Sequence, residues 1–135
     1  MIPITSIMTT NVVTVTETAH IYEAMMLLSE HKISGMPVVD GQNRVIGVLS
    51  EKDVLGILLN KNILDKMNVG HFMSRNITCF TEEASAVEIC EFFMKTHFRR
   101  VPIVRDGYLV GIVSRRDIMN LILEARALLS QDRYH

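Results

Sequence analysis

Tryptophan is absent and aromatic residues make up only 6% of the chain, so any core must be built from aliphatic side chains and the nine methionines. Cysteine is nearly absent too: Cys79 and Cys90 are the whole supply, and both lie inside periodic apolar segments. Two such residues make no disulfide scaffold and read as buried free thiols in a reducing compartment. An excess of either charge is also missing. Fourteen basic residues face fifteen acidic ones, for a net charge of −1, which lacks the basic footprint of a nucleic-acid binder. No apolar run reaches the 18 residues of a candidate membrane span, although mean hydropathy is positive at +0.22. That combination points to buried interfaces and no membrane. The opening MIPITSIMTT has neither the basic region nor the apolar stretch of a signal peptide, so a cytoplasmic location is expected.

Chemistry-bearing constellations are equally scarce. The five histidines (His20, His31, His71, His97 and His135) include no pair at the four-residue spacing of a helical metal site, and no CxxC accompanies them. There is no Walker loop, no Ser-His-Asp order and no carboxylate pair with a base. The expectation is a protein without metal, cofactor or catalytic centre.

What is present is said twice. GVLSEKD at Gly47–Asp53 returns as GIVSRRD at Gly111–Asp117. A shift of 65 positions brings Met8 onto Met73, Asn11 onto Asn76, Thr16-Glu17 onto Thr81-Glu82, Pro37 onto Pro102 and Val39 onto Val104. One residue is lost in the next turn, and a shift of 64 aligns Ser50 with Ser114 and Asp53 with Asp117. The chain is a tandem duplication.

Each copy reads in the same order. NVVTV and NITCF are β-branched runs, expected as strands. Ile21, Ala24, Met25 and Leu28 recur at helical spacing, as do Ala86, Ile89, Cys90 and Phe93. Ser85 with Glu88 has the spacing of a capping box, and His20 takes the same position in the first copy as a weaker cap. MPVVD and VPIVR read as strands with proline near the start, where a missing N–H matters least. DGQN and DG then turn the chain into VIGVLS and LVGIVS. A second helix opens after Ser50 and after Ser114. The result is an α+β chain of two β-α-β-β-α units. A unit of about 60 residues is marginal alone, and VLGILL and IMNLIL are apolar nearly all round. The units are therefore expected to pack through those helices, share one core and leave apolar surface for a second chain.

Ser50/Asp53 and Ser114/Asp117 have two readings. S-x-x-D is capping-box spacing. The same joint, a strand running into a helix N-terminus, suits an anion, with a hydroxyl to donate to phosphate and a carboxylate to accept from a ribose diol. Gly47 and Gly111, lacking Cβ, let another group come close.

The duplicated β-α-β-β-α order, proline ahead of VV or IV, and G-x-x-S-x-x-D at the last helix resemble a tandem pair of CBS domains, the Bateman module, over residues 4 to 123. The resemblance implies CBS units at 1–63 and 66–127, packed as a pseudo-two-fold pair, and a tail at 128–135. It also implies a stand-alone regulatory module, not an enzyme, holding an adenosine ligand such as AMP, ADP, ATP, NAD or S-adenosylmethionine in clefts between the repeats. Ser50 with Asp53 and Ser114 with Asp117 then mark two sites, the aspartates on ribose. Arg100, ahead of the proline, is the implied phosphate clamp, with Arg115, Arg116 and Lys52 as further cations. Val13 and Thr78, then Ile33, Phe98, Met36 and Val101, then Val48 and Ile112 are the implied walls of an adenine slot. The uneven arginines make the two sites non-equivalent. The resemblance further implies a homodimer stacked through helices, and an unidentified protein that reads the ligand-bound state. The alternative is a structural or interaction dimer whose serine–aspartate pairs only cap.

Overall fold

The structure, a computed structural model, describes residues 2–59 and 67–133, with side chains as far as 129. The expected boundary between the units, 63 to 66, lies outside the described residues. The first unit contains β1 (Val15–Thr16), α1 (Ile21–His31), β2 (Gly35–Val39), β3 (Val45–Ser50) and α2 (Glu51–Leu59). The second contains β4 (Phe80–Thr81), α3 (Ala86–Lys95), β5 (Arg100–Arg105), β6 (Tyr108–Ser114) and α4 (Arg115–Arg133). Each unit forms a three-stranded sheet, with β1 or β4 parallel to a central strand that is antiparallel to the last.

The caps form at the expected residues. Ser85 Oγ accepts the Glu88 N–H and His20 Nδ1 accepts that of Tyr22. At the second hairpin Asp106 and Gly107 both take positive φ (52° and 85°), as a tight two-residue turn requires. In the first, Asp40 Oδ1 accepts the N–H groups of Gln42 and Arg44, and Asn43 takes positive φ.

The leading strands are shorter than their β-branched composition predicts. Of NVVTV only Val15 enters the ladder, and of NITCF only Phe80. The parallel pairing starts at Val38 and Ile103, one residue past Pro37 and Pro102. A proline offers no N–H to a neighbouring strand, so the ladder stops there. Residues 11–14 are released from the sheet and run along the junction between the units.

The units also join differently from the expectation. There are two hydrophobic cores, one around Ile21, Leu28, Val38 and Leu49 and the other around Ile89, Ile103, Val113 and Ile118. Neither is made by stacking α2 on α4. The lead-in of each unit crosses to the other instead. Ile4, 1% exposed, belongs to the second core, and Val69 to the first. Thr9 exchanges both backbone bonds with Ile112 at 2.9 Å, and its repeat mate Ser74 does the same with Val48. At the hairpin tips Arg44 bridges to Tyr108, its own mate under the 64-residue shift. Val45 N–H donates to Gly107 and Leu109 N–H to Asn43, again a mated pair. These reciprocal bonds define the pseudo-two-fold. They join the units without using the outer helix faces, and Leu55, Leu58 and Leu59 on α2 and Ile122, Leu123 and Leu129 on α4 stay exposed, Leu58 at 91%. No helix among the described residues is long and apolar enough to cross a membrane.

Candidate functional site

Because Pro37 ends the parallel ladder, Asn11, Val12 and Val13 border an open cleft instead of pairing. Its other walls are Thr9, Ile33 and Gly35 from the first unit and Arg100, Ile112, Ser114 and Asp117 from the second. The cleft encloses about 210 Å³, and apolar surface predominates in its lining. Ile33 and Arg100 also border an adjacent space of about 360 Å³ whose lining includes Lys32, Ser34, Glu51 and Arg99. An apolar slot thus opens beside a cationic one, with Arg100 in both.

Both serine–aspartate pairs are built as caps. Asp117 Oδ2 accepts the Ser114 N–H at 2.7 Å, and Ser114 Oγ accepts the Asp117 N–H at 3.2 Å. Asp53 Oδ2 accepts the Ser50 N–H at 2.9 Å, and Ser50 Oγ lies 3.1 Å from the same oxygen. The two hydroxyls therefore differ: that of Ser50 is committed to its aspartate, whereas among the described residues that of Ser114 donates no such bond. The bonds recorded at Asp117 fall on Oδ2, leaving Oδ1 for other donors.

Arg100 is the electrostatic centre. It is half-buried, pairs with Ser114 in the β5–β6 ladder, and its Nε is a buried donor without a partner among the described residues. Burial pulls the guanidinium below the usual arginine range; the Asp117 charge pulls it back up and the neighbouring Arg99 opposes that. A guanidinium cannot shed its proton at working pH, so this cation carries an unmet hydrogen bond at the wall of a cleft. Such groups are uncommon in native structures and call for an explanation.

The sequence-derived residues distribute unevenly. Val13, Ile33, Arg100, Ile112, Ser114 and Asp117 come together in the cleft of about 210 Å³. Val48, Thr78 and Phe98 gather on the mate side with Ile77, Phe92 and Arg100, around only about 20 Å³. Ser50 and Asp53 border neither space, and Lys52 and Arg116 are exposed away from both. Met36 and Val101, expected as slot walls, are each 1% exposed and belong to the two cores. Strand alternation explains this: they neighbour Pro37 and Pro102 but point to the helix-covered face. Arg115 is not a free cation for phosphate. Its Nε donates to the Phe98 carbonyl at 2.9 Å and its Nη2 to those of Phe93 and Thr96, pinning the α3–β5 turn. Thr9, Asn11, Val12 and Gly35 of the cleft, and Lys32 and Arg99 beside it, were not singled out for it from the sequence. The match of Asn11 with Asn76 was the available signal for the first group.

Gly47 and Gly111 are approached closely, but by the other unit's lead-in. A Cβ on Gly47 would stand 2.7 Å from the Ser74 carbonyl oxygen, and one on Gly111 2.5 Å from Met8 Sδ. These glycines make the junction. Cys79 and Cys90 are free and partly buried, and burial pushes the Cys79 thiol up.

Two mated α+β units locked by exchanged lead-ins, with a cleft at their junction, define a duplicated module. The chain belongs to the CBS domain family, whose model matches it twice, over residues 4–60 and 69–124. It is 30% identical over 126 residues to an uncharacterised 17.7 kDa protein of Acidianus ambivalens, covering 93% of this chain and 76% of that one. It superposes on CBSX2 in complex with AMP with a TM-score of 0.84 and 27% identity, covering 93% and 99% of the two chains; CBSX2 is a CBS-pair protein from Arabidopsis thaliana. It also superposes on the CBS domain pair of protein MJ0100 in complex with 5′-methylthioadenosine and S-adenosyl-L-methionine, with a TM-score of 0.79, 25% identity and coverage of 93% and 98%. Other relatives are longer: the chain spans 42% of an uncharacterised Methanocaldococcus jannaschii protein and 21% of that organism's inosine-5′-monophosphate dehydrogenase.

Proposed function

We propose that this chain is a regulatory module, not an enzyme, that binds a phosphorylated adenosine ligand in the cleft between its repeats. The observation that carries this reading is Arg100, a half-buried guanidinium whose Nε has no partner among the described residues, in the same cleft as Ser114 and Asp117. The base lies between Val13, Ile33 and Ile112. Asp117 Oδ1 accepts from the ribose hydroxyls, and the phosphate meets Arg100 and the Ser114 hydroxyl. A longer phosphate chain continues towards Lys32 and Arg99. The complexes of two structural neighbours with AMP and with S-adenosyl-L-methionine support the adenosine part. Because the cleft takes residues from both units, a ligand that prefers one inter-unit arrangement shifts the population towards it, and a partner protein reads that arrangement.

Calorimetry on nucleotide-stripped protein tests the reading with AMP, ADP, ATP, NAD and S-adenosylmethionine. A saturable heat is expected with at least one phosphorylated adenosine. Arg100→Ala is expected to weaken it about 10- to 100-fold, the range for a lost hydrogen bond to a charged group. No heat from any of them at millimolar concentration overturns the proposal.

Assembly belongs to the same reading. Leu55, Leu58 and Leu59 on α2 and Ile122, Leu123 and Leu129 on α4 make apolar patches of a kind that marks interaction sites. The pseudo-two-fold presents such a face from each unit, which suits an isologous contact with a second copy. Light scattering at micromolar concentration is expected to give about twice the 15.3 kDa chain mass; the monomer mass would refute the dimer.

A further inference from the structure

The duplication supplies two symmetry-related places for a ligand, and among the described residues they differ in the room they leave. At the open cleft stand Val13, Ile33, Gly35 and Ile112; their mates on the other side are Thr78, Phe98, Arg100 and Val48. The pocket these mates line, which does not reach Ser50 or Asp53, holds about 20 Å³ against about 210 Å³ in the open cleft. Twenty cubic ångströms is room for about one water molecule. A purine ring does not enter it.

The cause is a plug of aromatic residues in the second repeat alone. Phe98 stands where the first repeat has Ile33, and Phe92 where it has Leu27. Their rings stack, 6.0 Å between centroids and 8° from parallel. Phe92 is held in turn edge-on by Phe80 at 5.7 Å. The turn carrying Phe98 is fixed by the three bonds from Arg115 to the carbonyls of Phe93, Thr96 and Phe98. The first repeat has Glu51 in place of Arg115 and cannot make that clamp. Where Arg100 fills space on the closed side, Gly35 leaves it open on the other.

We propose that the chain binds one nucleotide and not two, at the Ser114–Asp117 cleft, because Phe98, stacked on Phe92 and positioned by Arg115, closes the Ser50–Asp53 side. This deepens the adenosine-binding reading and rests on it. The asymmetry makes the module a single-site sensor built on a two-site frame.

The experiment is calorimetric stoichiometry per chain on the full-length protein, with AMP and ATP as probes. The native chain is expected to take one equivalent. Phe98→Ile with Phe92→Leu, which copies the first repeat, is expected to take a second equivalent, and that second one is expected to survive Asp117→Ala. Arg115→Ala, which frees the turn without changing a core residue, is the second route to the same gain should the double variant fail to fold. Methyl chemical shifts of the native chain give an independent readout: Val13, Ile33 and Ile112 should move on AMP addition, and Val48 and Ile77 should stay. Two equivalents on the native chain, shifts on the Val48 side, or one equivalent before and after the plug is removed each overturn the proposal while leaving adenosine binding intact. No binding at all overturns both, and is told apart by a stoichiometry of zero.

Discussion

Asp117→Ala is expected to weaken adenylate binding by about 10- to 100-fold, while Asp53→Ala leaves the affinity close to that of the native chain. The two aspartates are repeat mates, and each accepts the N–H of its serine at the start of a helix. Truncating either removes the carboxylate half of a capping box and leaves the serine hydroxyl in place, and Asp53→Ala also loses the Ser50 hydroxyl bond; losses of about 0.5–2 kcal/mol are expected, the larger for Asp53→Ala. The effects on stability should therefore be of similar size, somewhat larger for Asp53→Ala, and urea midpoints will show whether they are. The effects on binding should not. Asp117 borders the cleft of about 210 Å³ and accepts the Ser114 N–H through Oδ2, so in the proposed binding mode Oδ1 takes a ribose hydroxyl, whereas Asp53 borders neither the open cleft nor its closed mate. The range corresponds to losing a hydrogen bond to a charged group, about 1.5–3 kcal/mol. Because the capping loss is no greater at Asp117 than at Asp53, a larger loss of affinity for Asp117→Ala reports its ligand role. Loss of stability with no change in affinity for either would leave both pairs as caps, and the chain as an interaction dimer.

The contrast also marks how far the repeated G-x-x-S-x-x-D could be read. Helix positions, the hairpins and the serine and histidine caps follow from local chemistry, and local chemistry is written residue by residue. The site is harder, because a cleft between repeats depends on which face each strand residue presents and on what fills the space. Val13, Ile33, Ile112 and Arg100 were named beside Ser114 and Asp117 only through the CBS resemblance, and the structure brings all six to one cleft. Met36 and Val101 were named in the same way but stand on the other face of their strands, and only the sheet's register shows it. Phe98 was legible as a wall and not as a plug, since its stack on Phe92 depends on side chains meeting across a turn that Arg115 holds. The exchange of lead-ins had least to announce it. Ile4 and Val69 are apolar residues near the start of each copy, and nothing local says that each will be buried in the other copy's core.

That exchange leads to a result with the opposite sign from backbone propensity. Gly47 and Gly111 lie within β3 and β6, where glycine is usually the weaker choice and alanine a gain of roughly 0.5–1 kcal/mol. Neither takes the positive φ that requires glycine. Gly47→Ala is nevertheless expected to destabilise the chain by about 1–3 kcal/mol, the range for overpacking a tight site. The new Cβ would stand 2.7 Å from the Ser74 carbonyl oxygen and 2.8 Å from Met73 Cε. That carbonyl accepts the Val48 N–H at 2.9 Å in the bridge joining the units, so relief requires moving the bridge itself. Gly111→Ala meets the flexible end of Met8 first, at 2.5 Å, with the Thr9 carbonyl oxygen farther off at 3.1 Å. A rotamer change of Met8 relieves most of that contact, so the loss should be nearer the lower end of the range. Urea denaturation of the two variants at one protein concentration gives both numbers. A rise in stability for Gly47→Ala, or a larger loss at Gly111, would show that the lead-ins do not press on these strands as the structure has them.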